Sequence, residues 1–301
     1  MKLAIVTPSF SRDAALCAEL CRSVDEFETS GMEHILVVPK ADMPLFAPLA
    51  GGRRRIIPQE PYLPAMTRVP LPTMVTIPGL YQKRLRKIWV TRRGQLVRGW
   101  IMQQILKMTC DRFVDADGVI FTDSDVVFVR PFGAETFLRN GDLLFYREPN
   151  ALDPSRTPYQ TWQDVACELL GQPRFPFNGE NFISNMVTWR IDRLKAMQAA
   201  IEAATGKSVV DALIGLRHLS EYVVYGVFCQ HGAGGLDGLA PQPRPLALED
   251  WAFDHSTTEG MAAFRAGIAP HHIAVLMQST NEWSITERRE IVADITRHIH
   301  A

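Results

Sequence analysis

The chain is expected to be an α/β protein with a mixed, mostly parallel central sheet flanked by helices. Three observations carry this. An apolar run at Lys2–Thr7, a helical stripe over Ala14–Phe27 and a second apolar run at His34–Pro39 make a β-α-β unit. Strand-like and helix-like stretches then alternate to the end of the chain. Near the middle, the stretch Val119–Val129 sets two carboxylates, Asp123 and Asp125, between two apolar runs rich in β-branched residues.

Leu16, Leu20, Val24 and Phe27 form the apolar stripe of the first helix. Because functional loops of such sheets lie at the carboxyl ends of strands, Thr7–Asp13 is a candidate ligand loop as well as an ordinary turn with a capping serine. Arg53–Gly79 carries Pro58, Pro61, Pro64, Pro70, Pro72 and Pro78 and is expected to be irregular. Arg92–Met108 restores helical periodicity, with Leu96, Trp100, Gln103 and Lys107 along one stripe. Gln103 and Lys107 either reach solvent or face a polar ligand.

After the central stretch come a short helix towards Arg139, a buried strand at Asp142–Arg147 and a helix over Thr161–Leu170. A strand at Phe182–Trp189, a helix over Asp192–Ala204 and a helix opening at Ser220-Glu221-Tyr222 follow. A helix over Glu259–Ala266, a strand at Ile273–Met277 and a charged helix from Ile285 complete the chain. With no repeat, low-complexity tract or linker, residues 1–301 read as one domain.

Hydrophobic content of 47%, charged content of 22% and net charge −1 give no overall pull towards nucleic acid. The charge is unevenly placed. Between Glu60 and Asp111 there is no acid, but Arg68, Lys83, Arg84, Arg86, Lys87, Arg92, Arg93, Arg98 and Lys107. This predicts a locally positive face, either solvated or drawn to anionic lipid as a peripheral membrane contact. The five cysteines lack a C-x-x-C pair, which argues against a disulfide framework or zinc knuckle. No apolar run approaches the roughly 20 residues of a membrane span, and Leu3–Val6 is short for a leader core. A cytoplasmic, reduced setting is expected, including the inner face of the membrane.

In extended backbone Asp123 and Asp125 would project to one face, with Ser124 to the other. Two crowded acids in apolar surroundings are relieved by a divalent cation, and carboxylate oxygens suit Mg²⁺ or Mn²⁺. The plain alternative is an acidic turn between two strands. Thr205-Gly206-Lys207-Ser208 ends like a phosphate loop, but position 201 is isoleucine and no strand precedes it, so it reads as a helix terminus. The glycine-rich 232–238 stretch has its third glycine displaced from a dinucleotide fingerprint. The haloacid-dehalogenase-like phosphatase pattern, with Asp123 as nucleophile, fits the central motif literally, but it needs a later strand ending in an acidic pair such as G-D-x-x-x-D, and Gly141-Asp142 is followed by Leu143-Leu144-Phe145-Tyr146 without the second acid.

Four stretches, in order, carry a resemblance. They are Ile5–Phe10, the helix Gly99–Lys107, Phe121-Thr122-Asp123-Ser124-Asp125 with Arg130-Pro131-Phe132, and Ser220-Glu221-Tyr222 with Tyr225-Gly226; a fifth is Val275–Ser279. The chain resembles metal-dependent GT-A-type glycosyltransferases, and among them a bacterial family associated with surface-polysaccharide synthesis.

The resemblance implies a UDP- or GDP-linked sugar donor bound by residues 1–132 and a glycan or lipid-linked acceptor bound by residues 133–301. Mn²⁺ or Mg²⁺ would bridge the diphosphate to Asp125, with Asp123 supporting the ion or touching the ribose. Thr7, Pro8, Ser9 and Asp13 would line the base and ribose pocket, and Trp100, Gln103 and Lys107 would reach the diphosphate or donor sugar. Asn185 and Tyr225 would meet the acceptor. Glu221 would act as base towards its hydroxyl or bind that hydroxyl, against the plain reading of a helix-start carboxylate. His255, chosen over His271 and His272, would be the third metal ligand. The alternatives are the Mg²⁺-dependent phosphatase and a non-catalytic binding protein with a degenerate D-x-D.

Overall fold

The computed structural model describes residues 1–69, 74–77, 81–84, 88–153, 155, 157–232, 235–281 and 283–300. Pro70, Pro72, Pro78, Arg86 and Lys87 of the expectations above lie outside the described residues, as do positions 233 and 234 of the glycine-rich stretch.

The opening β-α-β unit is present as β1 (Leu3–Pro8), α1 (Ala14–Phe27) and β2 (Glu33–Val38), followed by β3 (Arg54–Pro58). The middle of the chain supplies β4 (Gly118–Phe121), β5 (Val126–Phe128) and β6 (Asp142–Tyr146), then β7 (Val187–Arg190). The last third supplies β8 (Leu239–Gln242), β9 (Ala247–Glu249) and β10 (Ala274–Leu276). The central sheet runs β7-β4-β1-β2-β3, parallel throughout except for β7. A three-stranded sheet, β5-β10-β9, continues from the end of β4. A third places β6 beside β8 and the short Leu138–Arg139 strand. The expected mixed, mostly parallel sheet flanked by helices is therefore what the chain builds.

β1 and β2 are apolar and buried almost throughout, as a strand covered on both faces must be. Polar stitches fix their order. Arg54 Nε donates to His34 Nδ1 at 3.1 Å, so His34 Nε2 carries the proton and donates to Thr7 Oγ1, also at 3.1 Å. The same guanidinium reaches Asp25 on α1 at 2.7 Å. Burial, then the Arg54 charge, pushes the His34 pKa down to about 3, so the ring is neutral.

Three stretches depart from the expected elements, one being the strand expected at Phe182–Trp189, which begins only at Val187 after Met186 at φ +59°. Arg53–Gly79 contains β3 and the short strands Met66–Arg68 and Met74–Ile77, since edge strands tolerate proline between them. Arg92–Met108 is not one helix. Ile88–Thr91 and Leu96–Arg98 form a hairpin whose turn uses Gly94 at φ +78°, and α2 begins only at Gly99 (Gly99–Met108).

The longer helices that follow are α3 (Thr157–Leu169), α4 (Ile191–Thr205), α5 (Glu221–His231), α6 (Thr258–Ala266) and α7 (Ile285–His300). Gly206 ends α4 in the left-handed conformation, φ +65°, and Ser208 caps the next short helix, so the phosphate-loop look-alike is a helix terminus. The largest core cluster includes Ile5, Ile120, Leu143, Trp189 and Tyr225. Within it Trp189 stacks on Tyr225 at 4.5 Å, and Phe121 meets Trp189 edge-on at 4.8 Å. A second cluster under α7 includes Val129, Leu248, Phe264, Val275 and Ile291. The five cysteines are free and buried. Among the described residues no helix is long and apolar enough to cross a membrane.

Candidate functional site

The acids do not lie in extended backbone. β4 ends at Phe121, and Asp123–Val126 is a tight turn in which Val126 N–H donates to Asp123 O at 3.3 Å, feeding β5. The turn stands at the carboxyl end of β4, beside the carboxyl end of β1. Ser124 points back, its hydroxyl 2.8 Å from that of buried Ser9. That bond ties the turn to the loop after β1.

The two carboxylates differ. Asp123 keeps 48% of its side chain exposed. Asp125 turns inward: Oδ2 accepts Ser279 N–H at 2.7 Å, and its backbone carbonyl accepts Met277 N–H at 3.1 Å. Its other oxygen, Oδ1, is sealed from solvent and has no donor. Burial, reinforced by the Asp123 charge, raises the Asp125 pKa to about 7, against the pull of Ser279 N–H and Arg288. Burial, helped by the Asp123 charge and opposed by Arg12, holds the pKa of half-buried Asp13 above its ordinary value.

Lys107 is the cation of this corner. Only 6% exposed, its Nζ donates to Tyr222 hydroxyl at 2.8 Å and lies 3.1 Å from Glu221 and 3.7 Å from Asp123. Burial works against its charge, but Asp123, Tyr222 and Glu221 outweigh that and raise its pKa. α2 and α5 therefore meet through one buried ammonium that also faces the turn.

The other expected site residues divide. Thr7 is fully buried and occupied by His34, and Pro8 is buried at the end of β1. Trp100 is 45% exposed and packs on Trp162, while Gln103 is half-buried; the stripe through Lys107 runs from surface to core rather than along one ligand face. Tyr225 is 1% exposed and its hydroxyl accepts Arg190 N–H at 3.0 Å, so it is placed to hold α5 on β7 rather than to meet an acceptor. Glu221 is the first residue of α5, after the Ser220 cap, and is 5% exposed. Asn185 is buried, its N–H given to Glu249 at 3.0 Å.

His255 is not brought to the acidic pair as a ligand. Nε2 engages Asp250 O at 2.6 Å, Nδ1 lies 3.3 Å from Met261 sulfur, and the ring packs on Phe264 and Trp283. Among the described residues no group of three His, Cys, Asp or Glu is arranged to hold a metal. Of the basic interval, Arg68, Arg92 and Arg98 are exposed and Arg93 pairs with Asp211; Lys107 belongs to the interior.

Two residues, Asp250 and Arg288, enter the site from the C-terminal part without having been expected, and Glu249 adjoins Asp250. Asp250, fully buried, accepts Gln278 N–H and Asn281 Nδ2 on one oxygen, both at 2.6 Å. Arg288, 4% exposed, donates to the carbonyls of Met277 and Gln278, and so holds the loop that presents Ser279 N–H to Asp125. Glu249 ends β9. Leu246–Asp250 is an apolar run closed by two acids, the same signal that singles out the central motif, and could have been read. Beside Asp125 a cavity of about 270 Å³ opens between α1 and α7, lined by Leu16, Val127, Met277 and Val292.

Two solved structures of LgtC are similar in outline, each covering 96% of this chain and 95% of that one. One, an active-site mutant, is 13% identical with a TM-score of 0.47. The other, the galactosyltransferase LgtC in complex with donor and acceptor sugar analogs, is 12% identical with a TM-score of 0.46. Among curated proteins no match is found. A family model described as a family of unknown function, DUF6492, matches residues 1–292, and the chain belongs to that family.

Proposed function

We propose that this protein is a glycosyltransferase that moves a sugar from a nucleoside-diphosphate donor to a hydroxyl of a glycan or glycolipid, using Mn²⁺ or Mg²⁺ at Asp123 and Asp125. The observation that carries the reading is the unpartnered Oδ1 of Asp125 beside half-exposed Asp123, at the carboxyl end of a parallel strand. A buried carboxylate oxygen without a donor is costly, and a hard cation is the partner that also brings phosphate oxygens. The donor set fits: two carboxylates, one accessible and one oriented by Ser279 N–H. When bound, the ion supplies Lewis-acid neutralisation of charge on the departing diphosphate.

The chain's own residues do the rest. Lys107 holds Asp123 from the protein side, and Ser124 with Ser9 keeps the turn against β1. Asp13, at the end of the loop after β1, is near enough to feel the Asp123 charge. Exposed Arg68, Arg92 and Arg98 suit an anionic, lipid-linked acceptor at the inner membrane face. The order of the matching sequence stretches supports the same reading.

Titration calorimetry with UDP and GDP, with and without Mn²⁺, tests it. Metal-dependent binding that disappears in Asp125→Ala is expected. Absence of nucleoside-diphosphate binding to the unaltered protein in either condition would overturn the reading.

A further inference from the structure

Glu249 stands where two registers converge. In the β5-β10-β9 sheet Glu249 pairs with Leu276, and Leu276 with Val126, the residue after Asp125. At about 4.8 Å per strand step, the Glu249 backbone is roughly 10 Å from that position. From the other side, the antiparallel pairing of Val187 with Phe121 brings the preceding Asn185–Met186 segment towards Thr122 and Asp123. Glu249 joins the two: its Oε1 accepts the Ser184 hydroxyl at 2.7 Å and Asn185 N–H at 3.0 Å.

Met186 is buried at φ +59°, a left-handed conformation uncommon for a residue with a Cβ. Among the described residues none donates a hydrogen bond to Glu249 Oε2, yet it is not among the sealed, unpartnered oxygens as Asp125 Oδ1 and Asp250 Oδ1 are. A small cleft lined by Tyr146, Gln242 and Arg244 reaches Asn185, the residue whose N–H Glu249 accepts. Glu221, the base expected from sequence, has its carboxylate engaged by Lys107 at 3.1 Å instead.

We propose that Glu249 is the catalytic base for the acceptor hydroxyl, an inference that rests on the glycosyltransferase reading above. The acceptor oxygen bonds to the anomeric carbon of the donor as the bond from that carbon to the diphosphate breaks. The bonding pair leaves with the nucleoside diphosphate, and the hydroxyl proton passes to Glu249 Oε2 and then to solvent. Burial, helped by the charges of Asp250 and Glu148, lifts the Glu249 pKa to about 7 against the hydrogen bonds from Ser184 and Asn185, and the Tyr146 hydroxyl also senses its charge. A base of that strength is half available at neutral pH, where proton transfer is most effective.

The test is hydrolysis of UDP-glucose, UDP-galactose and GDP-mannose, with water in the acceptor's place, by the full chain and by Glu249→Gln. Glutamine retains an oxygen for Ser184 and Asn185, so a merely structural role predicts unchanged turnover. The expected result is a fall in kcat of about 100-fold, loss of the pH limb near neutrality and unchanged Mn²⁺-dependent UDP or GDP binding. Unchanged kcat with the same pH limb overturns the assignment. So does binding of nucleoside diphosphate by the unaltered protein with no hydrolysis of any of the three donors. Absence of nucleotide binding is the separate failure of the glycosyltransferase reading itself.

Discussion

Lys107 Nζ lies 3.1 Å from Glu221 Oε1, and both side chains are at least nine-tenths buried. This pair joins α2 to α5 directly behind Asp123, so the electrostatics of the acidic turn depend on an interaction within the fold.

Removing one partner should therefore be costly. Lys107→Met leaves Glu221 buried and uncompensated, and a loss of about 3–5 kcal/mol is expected. Lys107→Met with Glu221→Gln should recover most of it. Urea unfolding of the three proteins measures both, and equal stability of the single and double variants would show that the pair is not coupled.

Acid should destabilise the fold through His34. Its pKa falls from 6.5 to about 3 on folding, so between those values the unfolded chain binds the extra proton. Stability then rises with pH across that window and is lost as pH falls through it. His34→Asn should flatten the slope of unfolding free energy against pH in that window; an unchanged slope would remove His34 as its source.

Arg288 should tune the acidic site without touching a ligand. It holds the carbonyls of Met277, Gln278 and Asn281, and that loop supplies Ser279 N–H to Asp125. If the proposed Mn²⁺ site is used, Arg288→Lys should weaken Mn²⁺ binding by about 10–100-fold, the range for loss of support around a metal ligand. Mn²⁺ titration with UDP present reads this, with circular dichroism confirming the fold.

Gly226 should resist the replacement that usually helps a helix. A Cβ there would fall 2.5 Å from the ring of buried Phe182. Gly226→Ala should cost about 1–3 kcal/mol through overpacking, although alanine is the better helix former. A rise in the thermal midpoint would show that Phe182 yields freely.

The elements most legible in sequence were those whose pattern is local. α1 falls on the residues its stripe marks, and β1, β2 and α5 within a residue or two, because burial on one stripe or both faces leaves a direct imprint on residue type. The hairpin at Ile88–Arg98 was not legible, since Leu96 and Val97 continue a helical stripe as well as a strand. Gly94, in the left-handed region, was the signal that decides between them.

At the site, composition and spacing alone selected Asp123 and Asp125 as a crowded acidic pair and placed them after a buried strand. Tertiary structure decided everything about how they differ. One is half exposed and backed by Lys107, and the other is turned onto Ser279 with an oxygen left over. It also brought in Glu249, Asp250 and Arg288, more than a hundred positions along the chain, through the pairing of β5, β10 and β9. The reason is physical: residue type and local periodicity record what a side chain can do and whether it is buried. Which distant donors and charges meet it is set by strand order and register, and these depend on contacts that no local stretch contains.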